Sequence, residues 1–116
     1  MLAVGEHLLG SIDDQVFRMT TGLGGGVGST HQEVCGAVSG GVLIIGAIHG
    51  RVRPEVDDSR CQRLAALYLK RFGAELGTVR CGELRALGYG SDGRWPCSAL
   101  VERAIPLLLN ILDHEA

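Results

Sequence analysis

Residues 22–30 read GLGGGVGST, and a run so rich in glycine cannot hold a regular helix or strand at a reasonable entropy cost. A loop with positive-φ positions is expected there. Ten of the chain's 18 glycines fall between Gly22 and Gly50, so the segment after the loop must fold with almost no bulk on part of its surface. Nucleotide binding is the first function such a loop suggests, because glycine amides ahead of a helix can surround phosphate. The spacing argues against it. A P-loop needs GxxxxGK[ST], but Leu23 stands five residues before Gly28 and Ser29 replaces the lysine. GxGxxG fails at Val27. The loop is better explained as a structural element that lets the next helix pack closely.

The segment that follows, Glu33 to Gly50, has almost no polar face, so as a helix it is expected to be surrounded by others. Gly36, Ala37, Gly40 and Gly41 give it a smooth strip where another backbone can approach. A buried strand over Val42–Ile45 is the competing assignment for so short an apolar run. The uncharged stretch Val34–Ile48 is about fifteen residues long, short of the ~20 required to cross a bilayer.

Elsewhere the spacing is helical. Leu2–Leu9 resembles the end of a helix whose start lies upstream, since no N-cap precedes it. Ser11 and Asp14 can cap a short helix carrying Ile12, Val16, Met19 and Leu23. After Pro54, a long helix is expected to begin near Glu55–Asp58, with Cys61, Leu64, Ala65, Tyr68, Leu69 and Phe72 as its core stripe. Arg60, Gln62, Arg63, Lys70 and Arg71 form its solvated flank. A helical turn over Cys81–Leu87 leads into a polar loop, Gly88–Pro96. Within that loop Tyr89–Gly93 is turn chemistry, and Asp92 alone makes no catalytic acid. Trp95 is expected to anchor the loop in the core. The last segment carries Cys97, Leu100, Val101, Ala104, Ile105, Leu108, Ile111 and Leu112 at helical spacing, with Pro106 expected to kink or divide it. The fold class is therefore all-α: one domain over 1–116, a compact bundle of four to five helices around a Gly-rich loop.

Composition agrees. Hydrophobic residues make up 46% and aromatics only 4%, which suits small-residue helix packing better than a β-sandwich. A net charge of −2 supplies no global positive field for nucleic acid or an anionic membrane. The first residues lack a basic flank and a cleavage signal, so a reducing, cytoplasmic setting is expected.

Cys35, Cys61, Cys81 and Cys97 are separated by 25, 19 and 15 residues. No CxxC occurs, which disfavours a zinc ribbon or a thioredoxin-type site, and the absence of CxxCH excludes covalent haem attachment. Cys35 falls in the first turn of the glycine-rich helix, where free amides favour thiolate, while Glu33 and the apolar surroundings oppose it. His31, four residues earlier, is a candidate base or ligand. His49 suits a helix C-terminus.

The loop GLGGGVG followed by CGAVSG at Cys35–Gly40 resembles the C_GCAxxG_C_C family of redox-active proteins. Val79–Leu84 (VRCGEL) and Pro96–Val101 (PCSALV) are similar to its later cysteine segments. The resemblance covers nearly the whole chain. It implies that Cys35, Cys81 and Cys97 are the family cysteines and that Cys61 is an extra one, suited to a core role. It also implies a helical fold like that of split-Soret cytochromes, and redox activity as the function. The family's first cysteine, in its opening helix, has no counterpart here.

Two chemistries fit such thiols. One is thiol–disulfide exchange or electron transfer at Cys35, Cys81 and Cys97, a thiol-based oxidoreductase working with a redox partner. The other is metal or iron–sulfur binding, with iron–sulfur cluster or zinc as cofactor and Cys35, Cys81, Cys97 and His31 as ligands. A third alternative is a non-catalytic module that forms a homodimer through the Gly36–Gly41 strip.

Overall fold

The computed structural model describes residues 2–90 and 93–115; Ser91 and Asp92, within the expected turn, lie outside them. Six α-helices follow one another: α1 (Leu2–Leu9), α2 (Asp14–Thr20), α3 (Gly36–His49), α4 (Ser59–Leu76), α5 (Cys81–Ala86) and α6 (Cys97–Asn110). A 3₁₀ turn, Thr21–Leu23, extends α2, and a π turn, Ile111–Glu115, extends α6. The count exceeds the expected four to five because α2 and α5 are both regular, if short. Among the described residues no strand forms, and Val42–Ile45 lies inside α3.

The core is a seam between α3, α4 and α6. On α4, Leu64, Tyr68 and Phe72 have no solvent exposure and Leu76 almost none. They recur every four residues, so they form one stripe. Cys61, Ala65 and Leu69 flank this stripe and are half-buried. From α6, Leu100, Ala104 and Leu108 meet it, and Ile111 completes the row. The Tyr68 and Phe72 rings pack edge to face, with centroids 6.1 Å apart, a favoured aromatic geometry.

Helix α4 starts at Ser59 rather than at the acidic run before it. Asp57 accepts hydrogen bonds from the Ser59 amide (3.1 Å) and hydroxyl (2.8 Å), which holds its carboxyl below the usual range. Arg51 binds the carbonyls of Pro54 and Val56 and pairs with Asp58 at 3.6 Å, closing the turn. Pro106 neither divides nor ends α6, which continues to Asn110. The carbonyl its missing N–H leaves without a partner belongs to Glu102, an exposed residue that water can reach.

Helix α3 is not surrounded on all sides. Ala37, Val38, Gly41, Ile44 and Ile45 are buried, whereas Leu43 is 45% and Ile48 42% exposed. The small-residue strip has divided uses. Gly36 approaches the Gly24 backbone, a Cβ at Gly41 would enter the Tyr68 ring, and Gly40 borders an open cavity. Tyr68 also donates a 2.8 Å hydrogen bond to the Ala37 carbonyl, so glycine at 41 lets an entire phenol lie across α3.

Gly41 and Gly46 sit in the same helix but predict opposite outcomes. Gly41→Ala overpacks against a ring that cannot move and should cost about 1–3 kcal/mol in urea unfolding. Gly46→Ala meets open space and should stabilise by about 0.5–1 kcal/mol. Equal effects at the two positions would refute this packing.

Candidate functional site

Three separate segments each deliver a cysteine to a helix start. Cys35 is the N-cap residue of α3, Cys81 is the first residue of α5 and Cys97 the first residue of α6. The first two are clasped together by backbone. Val34 and Arg80 form an antiparallel bridge; the Cys35 amide donates to the Val79 carbonyl at 2.8 Å and the Cys81 amide to the Glu33 carbonyl at 2.9 Å. In such a pair, Cys35 stands opposite Val79 and Cys81 two residues further on, so the two are diagonal neighbours on one face. A second bridge, parallel, joins Tyr89 to Trp95, with the Trp95 amide donating to the Gly88 carbonyl and the Gly90 amide to the Trp95 carbonyl, both at 2.9 Å. That clasp brings Pro96 and Cys97 back to the others.

The glycine loop holds the arrangement from the other side. From Gly25 through Ser29, five consecutive residues have φ between +59° and +64°, two of them the non-glycines Val27 and Ser29, and His31 is at +61°. Such left-handed backbone costs ordinary residues roughly 1–2 kcal/mol each. It is retained here by cross-loop hydrogen bonds, including Gly28 N–H to Gly22 O at 2.7 Å and His31 N–H to Gly25 O at 2.9 Å. The turn presents Gly26 to Cys81 so closely that any Cβ there would strike the cysteine side chain.

Cys35, Cys81 and Cys97 all line one cavity of about 680 Å³. It runs along α3 from Gly36 to Ala47, three helical turns or about 16 Å. Its far wall comes from α1, α2 and the segment between them, through Leu9, Ile12, Val16 and Phe17. Cys35 is buried, Cys81 half-buried and Cys97 exposed, and none is in a disulfide. Cys61 is not among its lining residues; it packs against the core from α4 and borders a smaller neighbouring hollow that shares Val16, Thr20, Leu43 and Ala47 with the cavity.

Burial, more than any neighbour, sets the electrostatics. It pushes the Cys35 thiol up from its ordinary value of 9.0, and the amides of Ala37 and Val38 offset this only in part; charge on Cys81 or Cys97 would raise it further. Of the two opposing influences expected at Cys35, the apolar surroundings therefore prevail over the helix start. The Cys81 thiol is also raised, by burial first and Cys97 next, while the Arg85 guanidinium pulls it down. Mutual effects among Cys35, Cys81 and Cys97 mean that ionising one hinders the next. The Tyr68 phenol is likewise shifted upward, by burial and by Cys35.

His31 does not line the cavity, and its contribution is backbone: its carbonyl packs on Gly82 at the start of α5. Among the described residues, no group of three or more His, Cys, Asp or Glu side chains is arranged to hold a metal ion. Trp95 is 42% exposed, its ring tilted 37° to that of Tyr89 with centroids 5.3 Å apart and the Arg94 guanidinium 5.2 Å over it. It anchors the loop at the surface, not in the core. Arg85 and Tyr89 are cavity residues that sequence reasoning missed. The signal for Arg85 was its place one turn after Cys81 in the helical turn expected over Cys81–Leu87, a spacing that sets the two side chains next to each other.

A family model described as "Putative redox-active protein (C_GCAxxG_C_C)" matches residues 1–111. No curated protein and no solved structure matches the chain. Among the described residues, no helix is long and apolar enough to cross a membrane.

Raised thiols predict a pH effect of definite sign. Above 9.0 the unfolded chain has lost protons that native Cys35 and Cys81 still hold, so the native state binds more protons and stability falls as pH rises. Urea unfolding between pH 8 and 10 should show this loss, and Cys35→Ala should reduce it. A slope unchanged by Cys35→Ala would mean the thiol is not shielded.

Proposed function

The chain belongs to the C_GCAxxG_C_C family of redox-active proteins, and on that footing we propose that it acts by thiol–disulfide exchange, with Cys35, Cys81 and Cys97 as the exchanging centre. One observation supports this most: three thiols remote in sequence line a single cavity while the fourth is elsewhere. Exchange needs an accessible thiolate to attack and a second to resolve the mixed disulfide. Cys97 is the accessible one. Its thiolate attacks a sulfur of the substrate disulfide, and the departing substrate thiolate takes up a proton. Cys81, whose thiol burial raises while the Arg85 guanidinium draws it partly back down, then attacks the Cys97 sulfur, forms the protein disulfide and releases the second substrate thiol. Two electrons pass from the protein dithiol to the substrate.

Cys35 lies deeper, and burial, with its neighbours' charge adding to it, pushes its thiol up. A neutral third thiol keeps a second negative charge out of the cavity while Cys81 is ionised. In the reducing cytoplasm the resting form is the free thiols, and a redox partner regenerates them after turnover.

Rapid alkylation followed by peptide mass spectrometry orders the thiols. Cys97 should react first and Cys35 last, by at least tenfold. With a small disulfide as oxidant, Cys97→Ser should abolish fast oxidation, whereas Cys81→Ser should trap the mixed disulfide on Cys97. Oxidation of Cys97→Ser at the unaltered rate would overturn the assignment.

A further inference from the structure

The cavity extends well beyond the sulfurs, and its composition bears on what enters it. Cys35 marks one end. From there the trough follows α3 past Gly40 and Leu43 to Ala47, so Leu43 lies about 12 Å along the helix from Cys35. Opposite stand Leu9, Ile12, Val16 and Phe17. Among the described residues lining it, no carboxylate, lysine or histidine occurs, and the single charged side chain is Arg85, beside Cys81 at the sulfur end. The volume, about 680 Å³, falls in the range of small-molecule sites, 300–1,000 Å³ by general survey. Helix α2 buries none of its residues and leaves Val16 50% and Phe17 48% exposed toward this space.

We propose that the trough binds the body of the disulfide substrate, which is a small, uncharged alkyl disulfide with its sulfurs at the cysteine end and its apolar tail along α3. This deepens the exchange mechanism and rests on it. A tail lying over Gly40, Leu43 and Ala47 removes apolar surface from water on both sides. A strongly polar disulfide such as oxidised glutathione would have to desolvate charged carboxylates and ammonium groups along those walls, where Thr20, Thr21 and Ser39 offer only hydroxyls and the single cation, Arg85, stands at the sulfur end. Arg85 sits where negative charge develops as the substrate S–S bond breaks. The substrate disulfide accepts two electrons and two protons, becoming two thiols, which stay on one molecule when the disulfide is cyclic. Cys97 and Cys81 lose them, becoming a disulfide.

The test uses the reduced full chain with two oxidants, a neutral lipoic-acid amide (an alkyl 1,2-dithiolane) and oxidised glutathione. Loss of protein thiols is followed at one pH, and each rate is divided by that oxidant's rate with N-acetylcysteine, which removes intrinsic disulfide reactivity. The normalised rate should favour the dithiolane at least tenfold. Leu43→Glu and Ala47→Glu, both at exposed positions remote from the sulfurs, should each reduce that ratio at least fivefold. Equal normalised rates would overturn the apolar-substrate assignment and leave exchange intact. A preference that survives both substitutions, or that fades as protein concentration rises because a second copy covers the trough, would also overturn it. Oxidation by neither compound would remove the exchange mechanism itself, and this inference with it.

Discussion

Two backbone hydrogen bonds set the geometry on which the site depends: Cys35 N–H to Val79 O and Cys81 N–H to Glu33 O. They join the residues just ahead of α3 to those just ahead of α5, so both helices start from one clasp. Each bond satisfies a backbone donor that a helix start would otherwise leave without an intrahelical partner. Because two of the bonded residues are themselves cysteines, satisfying the backbone also sets Cys35 and Cys81 diagonally beside each other.

The glycine loop makes that clasp possible at short range. Gly26 touches Cys81 where a larger residue would push α5 away, and the Gly24 backbone lies at contact distance from the first turn of α3 at Gly36. The strain of a left-handed run at Gly25–Ser29 is opposed by hydrogen bonds within the loop and by packing against two helix starts. Strained backbone held next to reactive side chains is a recurrent feature of functional sites. Here its role is steric: it makes room for a sulfur.

The α4 stripe was legible in the sequence because Leu64, Tyr68 and Phe72 repeat at four residues within an otherwise polar helix. Helix α3 was half legible. A segment with hardly any polar residue looks like one buried all round, and periodicity alone does not reveal that Leu43 and Ala47 border an open trough. Positive φ was expected of the glycines but not of Val27, Ser29 and His31, where tertiary contacts override what β-branched and other side chains prefer. The choice of Cys35, Cys81 and Cys97 came from family resemblance; spacings of 15 to 25 residues contain no geometric rule that could unite them. Arg85 stayed hidden although the helical turn over Cys81–Leu87 was expected, because a helix of only six residues is too short for its pattern to show which face meets the cavity.

The redox unit proposed here is Cys35, Cys81 and Cys97, with Cys61 outside it. Oxidise the native monomer with one equivalent of diamide, block the remaining thiols and map the disulfide by peptide mass spectrometry. The link should be intramolecular and drawn from Cys35, Cys81 and Cys97, with Cys61 recovered as free thiol. Disulfides that include Cys61, or that join two chains while those three sulfurs stay reduced, would contradict the account.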